Sequence, residues 1–211
     1  MGSKERRERE KQATRQRILD AARQLFVEHG YDQVTMREIA RRIEYSPTAI
    51  YLHFADKEAL MTELSVCDFR AFTDAFERLP ANADPLGRLQ DLARAMVGFA
   101  VENPHQYRLL FMTPRPAPPP EAMVLKPDVD AYDLLVRAVQ QARDAGLVHP
   151  GWAVDLTAQV LWGSLHGLVA LKLVLPAKDR VPLLALEQLT TTATCTLMVG
   201  FAQPPGLLPC G

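Results

Sequence analysis

The sequence predicts an all-α chain of about nine helices, divided between a small N-terminal unit and a larger C-terminal one. Three observations carry this. From Ile18 onward apolar residues recur at steps of three and four, the spacing that lines one face of a helix. Helix-opening residues stand at Thr35, Ser46, Asp56 and Asp84. No stretch alternates apolar and polar residues with the period of a strand. The 211 residues are 48% hydrophobic and 23% charged, ordinary values for a globular chain able to bury a core.

The elements follow in order. Residues 1–13 are polar and charge-dense and are expected to form a flexible tail. Ile18, Ala22, Leu25, Phe26 and His29 mark one face of a first helix, which Gly30 stops. Thr35 and Glu38 form a capping box that opens a second helix with Ile39, Ala40 and Ile43 inside. After Glu44-Tyr45, Ser46 caps a third helix, and Pro47 sits where a missing N–H costs nothing. Ile50 and Phe54 point inward together.

Asp56 caps a fourth helix running to about Leu79, apolar on two sides and therefore packed on two sides. It is expected to bridge the two units. Asp84-Pro85 opens a fifth helix, and Asn103-Pro104 ends it and opens a sixth that closes near Met112. Prolines crowd residues 113–127, which reads as a loop. A seventh helix spans about 129–145 before Gly146, and two long helices at about 152–175 and 182–201 finish the chain. The domain boundaries expected from this pattern are 14–60 and 61–203, with a second tail at 204–211.

Several functions are excluded by what is missing. No nucleophile elbow, phosphate loop, HExxH or paired-carboxylate signature occurs, so no enzyme is expected. His105, His149 and His166 lack metal-ligand spacing, and Cys67, Cys195 and Cys210 suggest neither a disulfide framework nor a zinc site. No metal or cofactor is expected. The free thiols and a charged N-terminus fit a cytoplasmic protein. Residues 156–171 carry no charge, but fall short of the ~20 needed to span a bilayer and include Gln159, Ser164 and His166. A helix at a protein–protein interface is the better reading.

Net charge is −1 but unevenly placed: the first 17 residues hold seven basic and three acidic side chains. A nucleic-acid-facing N-terminus and a solvated tail both fit this asymmetry. The second and third helices have the proportions of a helix-turn-helix, in which the later helix enters the major groove of duplex DNA. Pro47, Thr48 and Ala49 are small enough for close approach, and Thr48 can bond a base or phosphate. Tyr51 and His53 can donate to phosphate. Lys57 at the start of the fourth helix, and Thr35 and Arg37 at the start of the second, are placed to grip the backbone, and Ser46 completes the candidate set.

The stretch VTMREIARRIEYSPTAIYLHFADKEAL (34–60), preceded by TRQRILDAARQLFVEHGYDQ (14–33), strongly resembles the TetR/AcrR family of bacterial repressors. The match includes Phe26, Gly30, Thr35, Ile39-Ala40, Ser46, Tyr51, Phe54 and Lys57-Glu58. Two positions depart from it. Glu44 stands in the turn where many members carry Gly, at a cost of roughly 1 kcal/mol if φ is positive there. Pro47 occupies a position often basic in the family.

The resemblance weakens past residue 64. LWGSLHGLVAL (161–171) is similar to a subgroup with a Trp-x3-His-Gly signature, here Trp162, His166 and Gly167. The resemblance implies a C-terminal ligand-binding and dimerisation domain whose last two helices pair across a two-fold axis. The residues support this independently: Gly163 and Gly167 allow close approach, and Leu183, Leu186, Leu189, Ala193 and Leu197 form a stripe. Phe72, Phe76, Met96, Phe99, Tyr107, Phe111, Trp162 and His166 are the candidate lining of an apolar ligand pocket, or else plain core. The implied function is a homodimeric repressor on a near-palindromic operator in double-stranded DNA, released by a small apolar effector. An activator, or a DNA-binding protein without a ligand, remains an alternative.

Overall fold

A computed structural model describes residues 2–114, 130–175 and 184–205. Among these residues every regular element is helical. The helices are α1 (Ser3–His29), α2 (Met36–Arg42), α3 (Pro47–Tyr51), α4 (Lys57–Glu77), α5 (Pro85–Glu102), α6 (Pro104–Phe111), α7 (Ala131–Asp144), α8 (Val154–Val174) and α9 (Leu186–Phe201). The all-α expectation and the order of elements hold. The proline-rich stretch beyond residue 114, Leu183, Cys210 and the last part of the C-terminal tail lie outside the described residues.

The chain divides into two units, Met1–Arg70 with His105–Lys126, and Ala71–Pro104 with Pro127–Gly211. The boundary therefore falls inside α4 rather than at residue 60, and α6 belongs largely to the N-terminal unit. Sequence periodicity gives no warning of this, because an apolar face looks the same whichever core it enters. Leu109 of α6 enters the N-terminal core with Ile18, Phe26, Ile39, Ile50, Phe54, Leu60 and Leu64.

The expected tail at 1–13 is corrected as well. α1 begins at Ser3. Its first turns stand in solvent, supported by local pairs: Arg6 with Glu10 at 3.6 Å, and the Gln12 amide donating to Glu8 at 3.1 Å. Such i,i+4 contacts add a few tenths of a kcal/mol each to a helix already nucleated downstream.

Within the N-terminal unit a buried ion pair joins α1 to α4. Arg23 donates from Nε and Nη2 to the two carboxylate oxygens of Asp68 at 2.8 and 2.7 Å. Asp68 is fully buried, and its Oδ1 also accepts from the Gln106 amide of α6 at 3.0 Å. Burial works against the Arg23 charge, but Asp68 and Asp20 outweigh it and hold the guanidinium firmly protonated.

In the C-terminal unit α9 packs on α5 and α8, and α7 on both α5 and α8. Asp84 caps α5 through Gly87 N at 2.8 Å, with Pro85 in the first turn as expected. Asp130 caps α7, accepting from the N–H groups of Tyr132 and Asp133. Three buried threonines are satisfied inside their own helices. The hydroxyls of Thr157, Thr190 and Thr194 donate to the carbonyls of Ala153, Leu186 and Thr190 at 3.1, 2.7 and 2.9 Å.

Candidate nucleic-acid interface

The candidate surface is built on a five-residue helix. Ser46 is extended at φ −72° and its Oγ accepts from Ala49 N at 3.2 Å, while Pro47 takes the first helical position. These two residues start α3 cheaply: the cap satisfies one free donor and the proline has none to satisfy. Ile50 and Phe54 anchor the segment in the core, as expected. The opposite side faces solvent: Ser46, Pro47 and Thr48 are exposed, Tyr51 is 51% exposed and Leu52 79%. Leu52 is a large apolar group on this face that sequence reasoning missed; it has no periodic partner to flag it.

The turn before α3 ends α2 in a Schellman motif. Tyr45 N donates to Ala40 O at 2.9 Å and Glu44 N to Arg41 O at 3.2 Å. This geometry puts Glu44 at φ 60°, the single positive φ among described non-glycine residues. α7 ends in the same pair of bonds, Leu147 N to Ala142 O and Gly146 N to Arg143 O, but with Gly146 at φ 77° in the left-handed position. The same motif thus occurs once with the residue it favours and once against it.

The remaining candidate residues are placed as follows. Arg37 is exposed. Thr35 caps α2 and its hydroxyl is already engaged: Oγ1 accepts from Glu38 N at 3.3 Å and pairs with Glu38 Oε2 at 3.0 Å. Bonds from the Thr35 N–H and hydroxyl hold the Glu38 carboxyl below its usual range. Lys57 is half-buried and turned inward. Its Nζ donates to the carbonyls of Tyr31 and Val34 at 2.9 and 3.0 Å and lies 4.2 Å from the centre of the Tyr31 ring. Lys57 therefore clamps the loop after α1 to the start of α4, an engagement its position in the sequence did not reveal.

His53 closes α3 with a buried Nδ1 that has no partner. Burial first, then the charges of Arg15 and Lys11, keep its imidazole below the ordinary pKa. Arg15 is the supporting residue that sequence reasoning missed. It donates to the His53 carbonyl at 2.6 Å, pairs with Glu63, and lies 4.2 Å from the Phe54 ring centre. Its partners lie far along the chain, so no local pattern announces it.

The ligand candidates are split between the two units. Phe72 meets Phe76, Phe99 and Trp162 edge-on, with ring centres 5.0, 5.1 and 5.9 Å apart. Met96 is buried, and burial lowers the pKa of His166. Tyr107 and Phe111 fall in the N-terminal unit, their ring centres 4.8 Å apart and their planes tilted by 52°. Two groups missed from sequence are the hydroxyls of Thr73 and Tyr132, both buried with no hydrogen-bond partner among the described residues. The Tyr132 ring lies 5.8 Å from that of Trp162. A cleft of about 700 Å³ lies in the N-terminal unit, bordered by Leu25, His29, Gln33, Val34, Glu38, Arg41, Arg42 and Glu44, and by none of the ligand candidates.

One apolar face of α8 is open. Leu156, Val160, Leu171 and Val174 share it with Gly163 and Gly167, and Val174 is 64% exposed. On α9 the leucine stripe of Leu186, Leu189, Ala193 and Leu197 is half-buried, and the exposed positions are Glu187, Gln188, Thr192, Thr196 and Val199.

A capped α2, a Schellman turn and a short, outward-facing α3 define a helix-turn-helix protein. A family model described as bacterial regulatory proteins, tetR family, matches residues 18–64, and one described as a tetracyclin repressor-like C-terminal domain matches residues 89–183. The chain belongs to the TetR family of bacterial regulatory proteins. The transcriptional regulator TcmR of Streptomyces glaucescens is 36% identical over 93 residues, 44% of this chain and 41% of that protein. A transcriptional repressor of Mycobacterium tuberculosis is 36% identical over 83 residues, 39% of this chain and 42% of its own. The chain thus spans about two fifths of the length of these two relatives. A Rhodococcus sp. RHA1 protein of unknown function shares the fold with a TM-score of 0.70 at 28% identity, covering 90% of this chain and 95% of that one.

Glu44→Gly relieves the left-handed strain at a small entropic cost, so unfolding free energy should rise by about 0.5–1 kcal/mol. Urea denaturation measures this; a fall in stability would place a stabilising contact on the Glu44 side chain instead.

Proposed function

We propose that this protein is a ligand-responsive transcriptional regulator, a cytoplasmic repressor that binds a near-palindromic operator as a homodimer and lets go when a small apolar molecule binds. The observation that carries this reading is the outward face of α3. Thr48 and Tyr51 stand exposed on a helix whose other side is locked into the core. Pro47, Thr48 and Ala49 would approach base edges, while Tyr51, His53 and Arg37 would meet phosphates. Thr35, Ser46 and Lys57 would contribute at helix starts, Lys57 with the donor its two carbonyl bonds leave over. Selection of bound duplexes from a random pool tests the whole reading. Two inverted half-sites roughly 34–36 Å apart are expected; a pool that is never retained at low salt overturns it.

The open α8 face supports dimerisation. A Cβ added at Gly163 or Gly167 meets nothing within 4 Å in the single chain, so these glycines answer no need of the monomer. A second copy of α8 seated on Leu156, Val160 and the two glycines would give them one. The leucine stripe of α9 would flank that contact.

The ligand site would draw on Phe72, Phe76, Met96, Phe99, Trp162 and His166 of the C-terminal unit, with Trp162, His166 and Gly167 as the mark of a subgroup. The partnerless hydroxyls of Tyr132 and Thr73 suggest a ligand that is apolar with one or two polar atoms. α4 belongs to both units. A ligand bearing on Phe72 and Phe76 would therefore act on the helix that Asp68 holds to α1.

Three outcomes follow. Tyr51→Ala should weaken binding to all sequences alike by about fivefold to tenfold and leave the log–log salt slope unchanged, because the phenol carries no charge; an unaltered affinity removes Tyr51 from the phosphates. Gly163→Leu should leave the chain folded but monomeric in sedimentation; an intact dimer moves the interface elsewhere. Tyr132→Phe should leave ligand-free operator binding alone and raise the ligand concentration for release about tenfold. An unchanged release midpoint, measured with a compound found by screening, takes Tyr132 out of the site.

A further inference from the structure

We propose that the first turns of α1 are a helical arm that binds the phosphate backbone of duplex DNA outside the half-site read by α3, through Lys4, Arg7 and Lys11. The inference rests on the DNA-binding reading above and extends it to residues no helix-turn-helix contains.

The arm is helical from Ser3, and residues 4–13 are exposed. Lys4, Arg7 and Lys11 are spaced by three and four and so share one face. None of them forms an ion pair with a described residue. The neighbouring basic groups are already engaged. Arg6 pairs with Glu10, Arg9 Nε donates to the Glu5 carbonyl at 3.4 Å, Arg15 pairs with Glu63, and Arg17 reaches the Tyr45 hydroxyl at 3.5 Å. The acidic residues are occupied too: Glu5 accepts from Gly2 N at 3.2 Å and Glu8 from Gln12 at 3.1 Å. With Glu8 alone at its edge, this face carries three cations to one carboxylate and is left with an excess of positive charge.

That face is tied to the reading surface. Its next residue, four beyond Lys11, is Arg15, which donates to the His53 carbonyl at the end of α3. The field of Lys11 is felt at the His53 imidazole. From Arg15 to Lys4 the helix rises roughly 16 Å, about half a turn of DNA. A stripe of that length beginning beside α3 reaches phosphates past the last base pair the recognition helix reads.

The test uses the full chain and two duplexes, the selected operator trimmed to its half-sites and the same operator with about ten more base pairs on each side, one helical turn. Arg7→Gln/Lys11→Gln is compared with Arg6→Gln/Arg9→Gln, which removes equal charge from the other side of the helix. The first variant should bind the long duplex about tenfold more weakly, with a salt slope reduced by about 0.9 per lost contact, and the trimmed duplex normally. The second should match the unmodified protein on both. Equal losses on both duplexes, or in both variants, would reduce the effect to net charge and overturn the arm. No loss anywhere would make the stripe a solvated face while the α3 reading stood. Failure of the unmodified protein to bind either duplex would remove both proposals together.

Discussion

The N-terminal unit is organised around one desolvated charge pair. Asp68 has no access to water, so its carboxylate must be matched inside the protein. Arg23 supplies a two-pronged match and Gln106 adds a third bond. Removing one partner from such an arrangement typically costs about 3–5 kcal/mol, because the survivor is left buried and unpaired. The bonds are directional as well as strong, so they fix the angle of α4 against α1 and bring α6 into the same core. An apolar contact at that point would hold the helices together without specifying their register.

α3 is too short to be stable alone. It exists because its two ends are prepared and its middle is buried. Ser46 and Pro47 prepare one end, Arg15 holds the other through the His53 carbonyl, and Ile50 fills the core between. Lys57 then staples the loop after α1 onto α4. The exposed residues of α3 are thus carried on a frame that leaves them little freedom, and this lowers the entropic cost of contacting a partner.

Much of this was legible in the sequence because the signals were local. Thr35 with Glu38, Ser46 with Pro47, Asp84 with Pro85, and the glycines 30 and 146 announce helix ends through bonds made within a few residues. Glu44 was legible as well: a turn that favours glycine but carries glutamate predicts a positive φ, and the backbone has one there. Long-range partners were not legible. Arg15 with Glu63, Arg23 with Asp68 and Lys57 with the Tyr31 carbonyl join residues far apart in the chain, and no spacing rule connects them. Proximity in sequence puts α6 with the larger domain, and only the packing of residues such as Leu109 places it in the N-terminal unit. The helical start at Ser3 is not legible from charge density, which disordered tails and solvated helices share, although opposite charges four apart also stabilise a helix. For the ligand site, sequence supplied aromatic residues but not the partnerless hydroxyls, which become visible only when every hydrogen bond is counted.

The threonines of α8 and α9 have one more consequence. Because Thr157, Thr190 and Thr194 bond to carbonyls of their own helices, none of these hydroxyls ties one helix to its neighbour. Those three bonds therefore leave the register of the two helices to the other contacts between their packed surfaces. Such a joint behaves as a lubricated bearing rather than a weld. A molecule that shifted one helix against the other would meet no resistance from those three bonds, which travel with the helix that holds them.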